Sequence, residues 1–213
     1  MKRILSVGML SIVMLTVTGQ KTKQQYPTPE YNNEIYFFIK DSAQVTRLEK
    51  GFSKMESKSK MGGIGGAENG YELEGSKSPV RLEAGPNLSF IFFTGEESNS
   101  TVSDSMMKKN GIDPAAFGDP MAMMNDPSRT TSLYKMSSEK GSRKITMQSY
   151  QGMKLLGGSK KESTKYTLSV KKIRSGYYEL QVDKPLLRGE YAFMIMDMAS
   201  MTGSTSLFAF GID

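Results

Sequence analysis

The run of residues with the most suggestive chemistry is rich in glycine. Five glycines lie within residues 62–70, in the sequence GGIGGAENG. A phosphate-binding glycine loop needs a strand before it and a helix after it, because the helix N-terminus supplies unpaired amide donors. The polar segment before this run and the strand-like YELEG after it do not provide that setting. We therefore predict a tight turn at Asn69-Gly70, preceded by glycines that allow a bulge, a close backbone approach or a flexible hairpin tip.

Hydrolysis is the second chemistry to consider, by serine with lysine or by paired carboxylates. Ser-x-x-Lys spacing occurs five times, but the S-D-N and K-T-G elements that accompany it in serine enzymes are absent. Acidic residues at 96–97, 113, 119 and 126 have nothing in the sequence to position any two of them together. The chain also has no histidine, the usual general base. We assign no catalytic residue and keep a hydrolase as an alternative. The serine and lysine pairs are Ser57–Lys60, Ser105–Lys108, Ser132–Lys135, Ser137–Lys140 and Ser169–Lys172.

Composition also restricts metal chemistry. Without cysteine or histidine the chain lacks thiolate and imidazole ligands, and no EF-hand spacing is present. Its 17 methionines could offer soft thioether ligands to Cu(I), which makes copper binding a second alternative. Methionine is also a common gap-filler in cores and a flexible contact residue, and we expect no metal and no cofactor. A candidate contact loop contains Met106, Met107, Met121, Met123 and Met124, and one strand face carries Met194, Met196 and Met198.

Charge is distributed unevenly along the chain. The net charge is +9 from Lys135 to Arg188 and −4 from Tyr26 to Tyr134. Lysines that alternate along a strand would form a cationic stripe, which suits an anionic glycan or another envelope component. The competing interpretation is that these lysines keep a sheet soluble and its edges unpaired. Nucleic acid is not an expected partner, because paired aromatics and arginines are missing. The candidate basic surface consists of Lys144, Lys165, Lys171, Lys172 and Arg174.

The N-terminus has the pattern of a secretory signal. Lys2 and Arg3 precede an uncharged, mostly apolar run at residues 4–18, and small residues lead to Gly19. The run is too short to span a bilayer comfortably, and no later segment is long enough, so we expect no membrane span. We predict a signal peptide at residues 1–19 and an exported protein that is periplasmic or associated with the cell surface.

The rest of the chain divides into four parts. Residues 20–33 contain two prolines among polar neighbours and are predicted to be a linker or extended lead-in. Residues 34–94 and 131–213 are two β-rich halves, and the sequence leaves open whether they form one domain or two. Between them, residues 95–130 form an irregular excursion rich in methionine and proline, with at most a short helix near residues 103–109.

Strand patterns determine the predicted fold. In YTLSVK, Tyr166, Leu168 and Val170 share one face and polar residues share the other, which is typical of a half-buried strand. The runs IYFFI, FIFF and FMIM are apolar on both faces and are predicted to be central strands. A single strand is expected at residues 44–50, and a hairpin turn at Ser175-Gly176. We predict an all-β, sandwich-like fold with two packed, mostly antiparallel sheets of ten to twelve strands in total.

The C-terminal sequence KPLLRGEYAFMIMD, followed by STSLFAFGID, resembles the ending of a family of uncharacterised secreted β-rich bacterial proteins. The segments EIYFFIKDSAQVTRLEK, KSPVRLEAG and DPSRTTSLYKM fit the same resemblance. It implies an exported protein and supplies no catalytic residues. The expected function is therefore a non-catalytic binding or interaction module of the cell envelope.

Overall fold

The computed structural model describes residues 24–59, 66–95, 109–110, 126–139, 141–150, 162–196 and 204–213. These residues form two largely antiparallel β-sheets that pack face to face, which confirms the predicted all-β, sandwich-like fold. The described strands number fourteen, more than the ten to twelve predicted. The predicted signal peptide and contact-loop methionines lie outside the described residues, as do Lys60, Gly62, Gly63 and Gly65 and most of residues 95–130.

Strands account for nearly all of the regular structure in the described residues. The strands of the first half are β1 (Glu34–Ile39), β2 (Gln44–Arg47), β3 (Glu49–Lys54), β4 (Glu56–Ser59), β5 (Ala67–Glu74), β6 (Arg81–Leu82) and β7 (Ser89–Phe93). A short helix, α1 (Pro127–Thr130), precedes β8 (Thr131–Glu139), β9 (Ser142–Tyr150), β10 (Lys165–Tyr166), β11 (Leu168–Arg174), β12 (Tyr177–Val182), β13 (Gly189–Ile195) and β14 (Ser204–Ile212). No helix in the described ranges has the length and hydropathy that a bilayer crossing would require.

The smaller sheet has five strands in the order β11-β12-β7-β1-β2. Strand β7 lies at its centre and buries all five of its residues, and β1 beside it is buried over most of its length. The predicted hairpin joins β11 to β12, with Ser175-Gly176 at the turn. The two halves of the chain thus share this sheet, because β11 and β12 pair beside β7 and β1.

The larger sheet has nine strands, seven of them in the order β3-β14-β13-β8-β9-β5-β4. Strand β10 pairs with β8, and β6 adds to β14 as a parallel neighbour. The sheet curls into a half-barrel, so that β3 approaches β5 although they lie far apart in the pairing order. The backbone N–H of Glu72 donates to Ser53 Oγ at 2.9 Å, and the Leu73 side chain packs where a Cβ on Gly51 would otherwise lie. Only Met55 separates β3 from β4.

Alternation along the strands produces two cores in the larger sheet. In β13, Tyr191 and Phe193 face the smaller sheet and join the sandwich core. Ala192 and Met194 face the other way and fill the interior of the half-barrel. A third cluster covers the outer face of the smaller sheet, with Tyr177 fully buried in it. The predicted central strands are therefore confirmed, because each has apolar neighbours on both faces.

The prediction of one strand at residues 44–50 is wrong. The chain crosses from the smaller to the larger sheet at the buried Leu48, so β2 and β3 belong to different sheets. A similar crossing at a single residue occurs at Thr167, between β10 and β11. The half-buried pattern predicted around Thr167 is confirmed, since Tyr166 and Leu168 both pack against the sandwich core.

The prediction of a tight turn at Asn69-Gly70 is also wrong. Both residues lie inside β5, and the register with β9 shifts between them, which marks a β-bulge. A close backbone approach occurs at Gly70 itself, because a Cβ there would collide with the carbonyl of Ile145 on β9. The predicted approach or bulge concerns the preceding glycines, most of which lie outside the described residues. Pairing on both sides of the strand outweighs the turn preference of this residue pair.

We expect Gly70→Ala to destabilise the protein by about 2 kcal/mol or more, because the added methyl group must push two paired strands apart. Gly85→Ala is the matched control, since nothing lies within 4 Å of a Cβ at Gly85. Urea unfolding followed by circular dichroism measures both. Equal midpoints for the two variants would contradict the close approach of β5 to β9.

Candidate functional site

The five residues of the candidate basic surface do not lie on one sheet. Lys171, Lys172 and Arg174 lie on β11, at the edge of the smaller sheet, and all three are exposed. Lys165 lies on β10 and Lys144 on β9, both in the larger sheet. The predicted cationic stripe is thus reduced to a short cluster on one edge strand.

Several of these cations already have partners within the chain. The Arg174 guanidinium carbon lies 4.3 Å from the centre of the Tyr177 ring. Lys144 Nζ lies 3.9 Å from carboxylate oxygens of both Glu72 and Glu139. These contacts favour the interpretation that part of the positive charge stabilises the sheets.

The strand methionines do not form an accessible set of thioethers. Met194 is fully buried in the half-barrel interior, and Met196 is exposed just beyond the end of β13. Met198 lies outside the described residues. The default role of a strand methionine, core packing, is confirmed for Met194.

The described part of the chain contains an open groove of about 610 Å³ on the larger sheet. It runs along the line where β3 approaches β5 and where β4 continues from β3, so three strands and the start of β9 contribute to it. We call it the β3–β5 groove. Its lining residues are Glu49, Gly51, Phe52, Glu56, Lys58, Glu72, Leu73, Glu74 and Ser142.

One lysine bridges two glutamates in the groove. Lys58 Nζ lies 2.6 Å from Glu72 Oε2 and 3.1 Å from Glu56 Oε2. The hydrogen bond from Lys58 lowers the pKa of Glu72, and a further hydrogen bond from Ser142 adds to the effect. Glu72 is therefore a carboxylate near neutral pH and cannot serve as a proton donor there.

At the other end of the groove, a buried arginine fixes the position of Glu49. Arg143 is 1% exposed and donates from Nη1 and Nη2 to the two carboxylate oxygens of Glu49, each at 2.7 Å. Its Nε and Nη2 also donate to the carbonyls of Gly75 and Glu74, at 2.9 Å each. Burial alone would raise the pKa of Glu49, but hydrogen bonds from Arg143 and Ser78 outweigh it, and the pKa is lowered. This paired geometry is strong and directional, so it holds β3, β5 and β9 together.

The described Ser-x-x-Lys pairs cannot meet. An offset of three residues along a strand places two side chains on opposite faces, because side chains alternate with period two. Ser132 is accordingly buried in β8, whereas Lys135 is partly exposed. Ser169 and Lys172 lie on β11 with the same offset and pair with Gln181 and Tyr178. Within the described ranges, no cluster of three or more acidic residues is arranged to hold a metal ion.

Sequence patterns do not predict the groove, because its strands are brought together by long-range contacts. Glu72-x-Glu74 and Glu56-x-Lys58 do show the period-two spacing that puts side chains on one face of a strand. That spacing does not reveal that β4 and β9 pair with β5. It also does not reveal the approach of β3 to β5, which depends on the curl of the sheet.

A carboxylate with four hydrogen-bonding partners lies elsewhere, on the outer face of the smaller sheet. Glu179 is 2% exposed, and its Oε1 accepts from Lys40, Ser89 and Gln181 at 2.7–2.9 Å. Its Oε2 accepts from the Tyr26 hydroxyl at 2.9 Å. Burial opposes ionisation, yet these hydrogen bonds lower the pKa of Glu179 to about 2. Such a group stabilises the fold and does not exchange protons at neutral pH.

We expect stability to depend on Glu179 in acid. Its pKa falls from an ordinary 4.5 to about 2 on folding, so the stabilisation is complete above pH 4.5 and is lost as the pH falls towards 2. The linkage amounts to roughly 3 kcal/mol, at about 1.4 kcal/mol per unit. Glu179→Gln should therefore show a flatter decline in unfolding free energy between pH 4.5 and 2, measured by urea titration. Parallel declines for both proteins would refute this assignment.

We expect Arg143→Met to cost about 3–5 kcal/mol, because it leaves Glu49 charged and largely buried without its partner. Lys144→Met, one residue along the same strand, should cost about 0.5 kcal/mol or less, since its carboxylate contacts are long and partly exposed. Chemical denaturation compares the two variants. Adding Glu49→Gln to Arg143→Met should recover part of the loss, and a double variant that is weaker still would argue against the pairing.

Comparisons with protein-family models, with curated proteins and with solved structures find no match for this chain. The resemblance to secreted β-rich bacterial proteins therefore stays a prediction.

Proposed function

We propose that this chain is a non-catalytic binding module of the cell envelope and that the β3–β5 groove holds its ligand. The observation that carries this proposal is an open groove of about 610 Å³ whose carboxylates at Glu49 and Glu72 are fixed by Arg143 and Lys58. The envelope location is supported by the signal-like N-terminus.

The groove is already ordered before a ligand arrives. Arg143 fixes Glu49 from below, and the Ser53–Glu72 hydrogen bond keeps β3 beside β5. A ligand that binds these carboxylates therefore bears less of the entropy cost of ordering them. Preorganisation of this kind favours recognition of a ligand.

The lining residues favour a glycan that is neutral or carries amino groups. Four glutamates and one lysine line the groove. Arg143 compensates Glu49 and Lys144 lies 3.9 Å from Glu72, so the remaining charge is weakly negative and disfavours an anionic ligand. Carboxylate oxygens accept hydrogen bonds from sugar hydroxyls or ammonium groups. Phe52, also in the lining, is 75% exposed and offers a ring on which the apolar face of a sugar can stack. The anionic glycan expected from the charge pattern would fit β11 instead.

A hydrolase remains the alternative, and the groove gives it less support. Glycoside hydrolysis needs one carboxylic acid that keeps its proton and a second that is charged. The pKa values of Glu49 and Glu72 are both lowered, so both carry charge near neutral pH. Glu56 and Glu72 share the ammonium group of Lys58, which compensates part of their charge.

Affinity measurements with immobilised oligosaccharides test the proposal. We expect a neutral or amine-bearing oligosaccharide to be retained, and Phe52→Ala and Glu72→Gln each to weaken its binding about tenfold or more, equivalent to about 1.4 kcal/mol. Glu83→Gln, an exposed glutamate outside the groove lining, is the matched control and should bind as the unaltered protein does. Retention of acidic oligosaccharides alone, or equal losses in all three variants, would rule out the groove as the site.

A further inference from the structure

Residues 24–30, which we call the arm, lie across the outer face of the smaller sheet. They form no strand, and no backbone–backbone hydrogen bond joins them to the other described residues. The described part of the predicted lead-in is therefore packed against the fold without joining a sheet, with Pro29 buried. The arm is held almost entirely by side-chain contacts.

The ring of Tyr26 occupies a slot between two aromatic residues of the sheet. It stacks on Phe38 with a centroid separation of 5.5 Å and an interplanar angle of 27°. It meets Tyr177 edge-on at 5.9 Å. These residues belong to the apolar cluster that includes Ile91 and Phe93, so the slot is continuous with the buried outer face of the sheet.

Polar groups on both sides of the slot also recognise the arm. The Tyr26 hydroxyl donates to Glu179 Oε2 at 2.9 Å, and the Tyr177 hydroxyl donates to the carbonyl of Pro27 at 2.7 Å. Burial and the neighbouring Glu179 carboxylate raise the pKa of Tyr26 to about 12, so its hydroxyl keeps the proton that it donates. Gln24 donates to the carbonyl of Lys40 at 3.1 Å. Proline follows the tyrosine without leaving an unpaired N–H.

The slot is built by the sheet and would persist if the arm left. Glu179 accepts from Lys40, Ser89 and Gln181 on its Oε1, and none of these bonds involves the arm. Its charge would therefore stay compensated in the open form. Tyr177 is likewise held by Arg174 at 4.3 Å from its ring centre. Phe38 and Tyr177 would gain exposure, which leaves an apolar slot beside a fixed carboxylate.

We propose that this slot is a binding site for an extended Tyr-Pro segment, closed by the chain's own arm and able to accept the same arm from a second copy. The hydrogen bonds and ring contacts that hold the arm join residues 24–28 to the smaller sheet and to Lys40, so the arm of either copy can make them. The connection to β1 runs through Asn33, whose φ of +57° places it in the left-handed region. Within one chain the arm competes at an effective concentration on the millimolar scale, so exchange requires high protein concentration or an unseated arm.

Peptide binding to the full chain tests this site. The probe is a fluorescent peptide of residues 24–30, QQYPTPE, added to the Tyr26→Ala variant, whose own arm cannot fill the slot. We expect this variant to bind the peptide at least tenfold more tightly than the unaltered chain, where the arm competes. A peptide with phenylalanine in place of tyrosine should bind about tenfold more weakly, because it loses the hydrogen bond to Glu179. Equal binding of both peptides, or none to a Tyr26→Ala variant with native circular dichroism, would overturn the proposal.

Cross-linking gives a second readout that needs no peptide. The chain has no cysteine, so Thr28→Cys combined with Arg174→Cys places the only two thiols at the contact between arm and sheet. A short bismaleimide should join them within one chain in dilute solution and should give covalent dimers whose fraction rises with protein concentration. Cross-links confined to single chains at every concentration would exclude arm exchange between copies.

Discussion

Burial of both faces of β13 and β14 is the constraint on which the rest of the structure depends. Alternate residues of these strands must find separate apolar surroundings, since a strand with two apolar faces cannot leave either one in water. The smaller sheet covers one face, and the curl of the larger sheet encloses the other. The curl brings β3 beside β5, and the groove exists because those two strands meet there without a full ladder of hydrogen bonds.

The same constraint determines how the buried charged groups are paired. The two sheets and the half-barrel leave little room for water. Each buried carboxylate among the described residues therefore forms an ion pair with a cation or accepts several hydrogen bonds. Glu34 is paired with Arg47 and Lys50, and Glu190 with Arg81. Removing a partner from such a group leaves a buried charge less well compensated, which is costly. These pairs lie at the ends of strands, where they fix neighbouring elements in register. A similar pair, Arg143 with Glu49, lies at the base of the β3–β5 groove.

The sequence was sufficient for the fold class because alternation is a local signal. The alternation of Tyr166, Leu168 and Val170 indicated the side chains that pack against the core, although the chain changes sheets between the first two, and the double-sided apolar runs identified central strands correctly. The sheet crossing at Leu48 has no comparable signal in the sequence. An apolar residue within a strand gives the same sequence pattern whether or not the chain changes sheets there. The prediction of a turn at Asn69-Gly70 was wrong for a related reason. The bulge at these residues is created by the long-range pairing of β5 with β9.

The candidate site was less predictable than the fold. Glu56 and Lys58 share a face by spacing alone, but their proximity to Glu72 depends on β4 pairing with β5. The partnership of Glu49 with Arg143 joins residues 94 positions apart. The excess of lysine and arginine in the second half of the sequence indicated the basic cluster on β11. Lys144 and Lys165, however, lie on the other sheet. Apart from the hairpin at Ser175-Gly176, local patterns carried no information about which strands become neighbours.

The position of β14 has a consequence for how the protein is made. This strand lies between β3 and β13, and its end pairs with β6. Strands from both halves of the chain therefore cannot complete their pairing until β14 has been synthesised. Neither the sandwich core nor the half-barrel interior is complete until β14 has left the ribosome. A topology with such distant pairings folds slowly, and its apolar strands stay exposed to aggregation in the meantime. Both cores therefore lack the side chains of β14 until the end of this stretch of the chain has been synthesised.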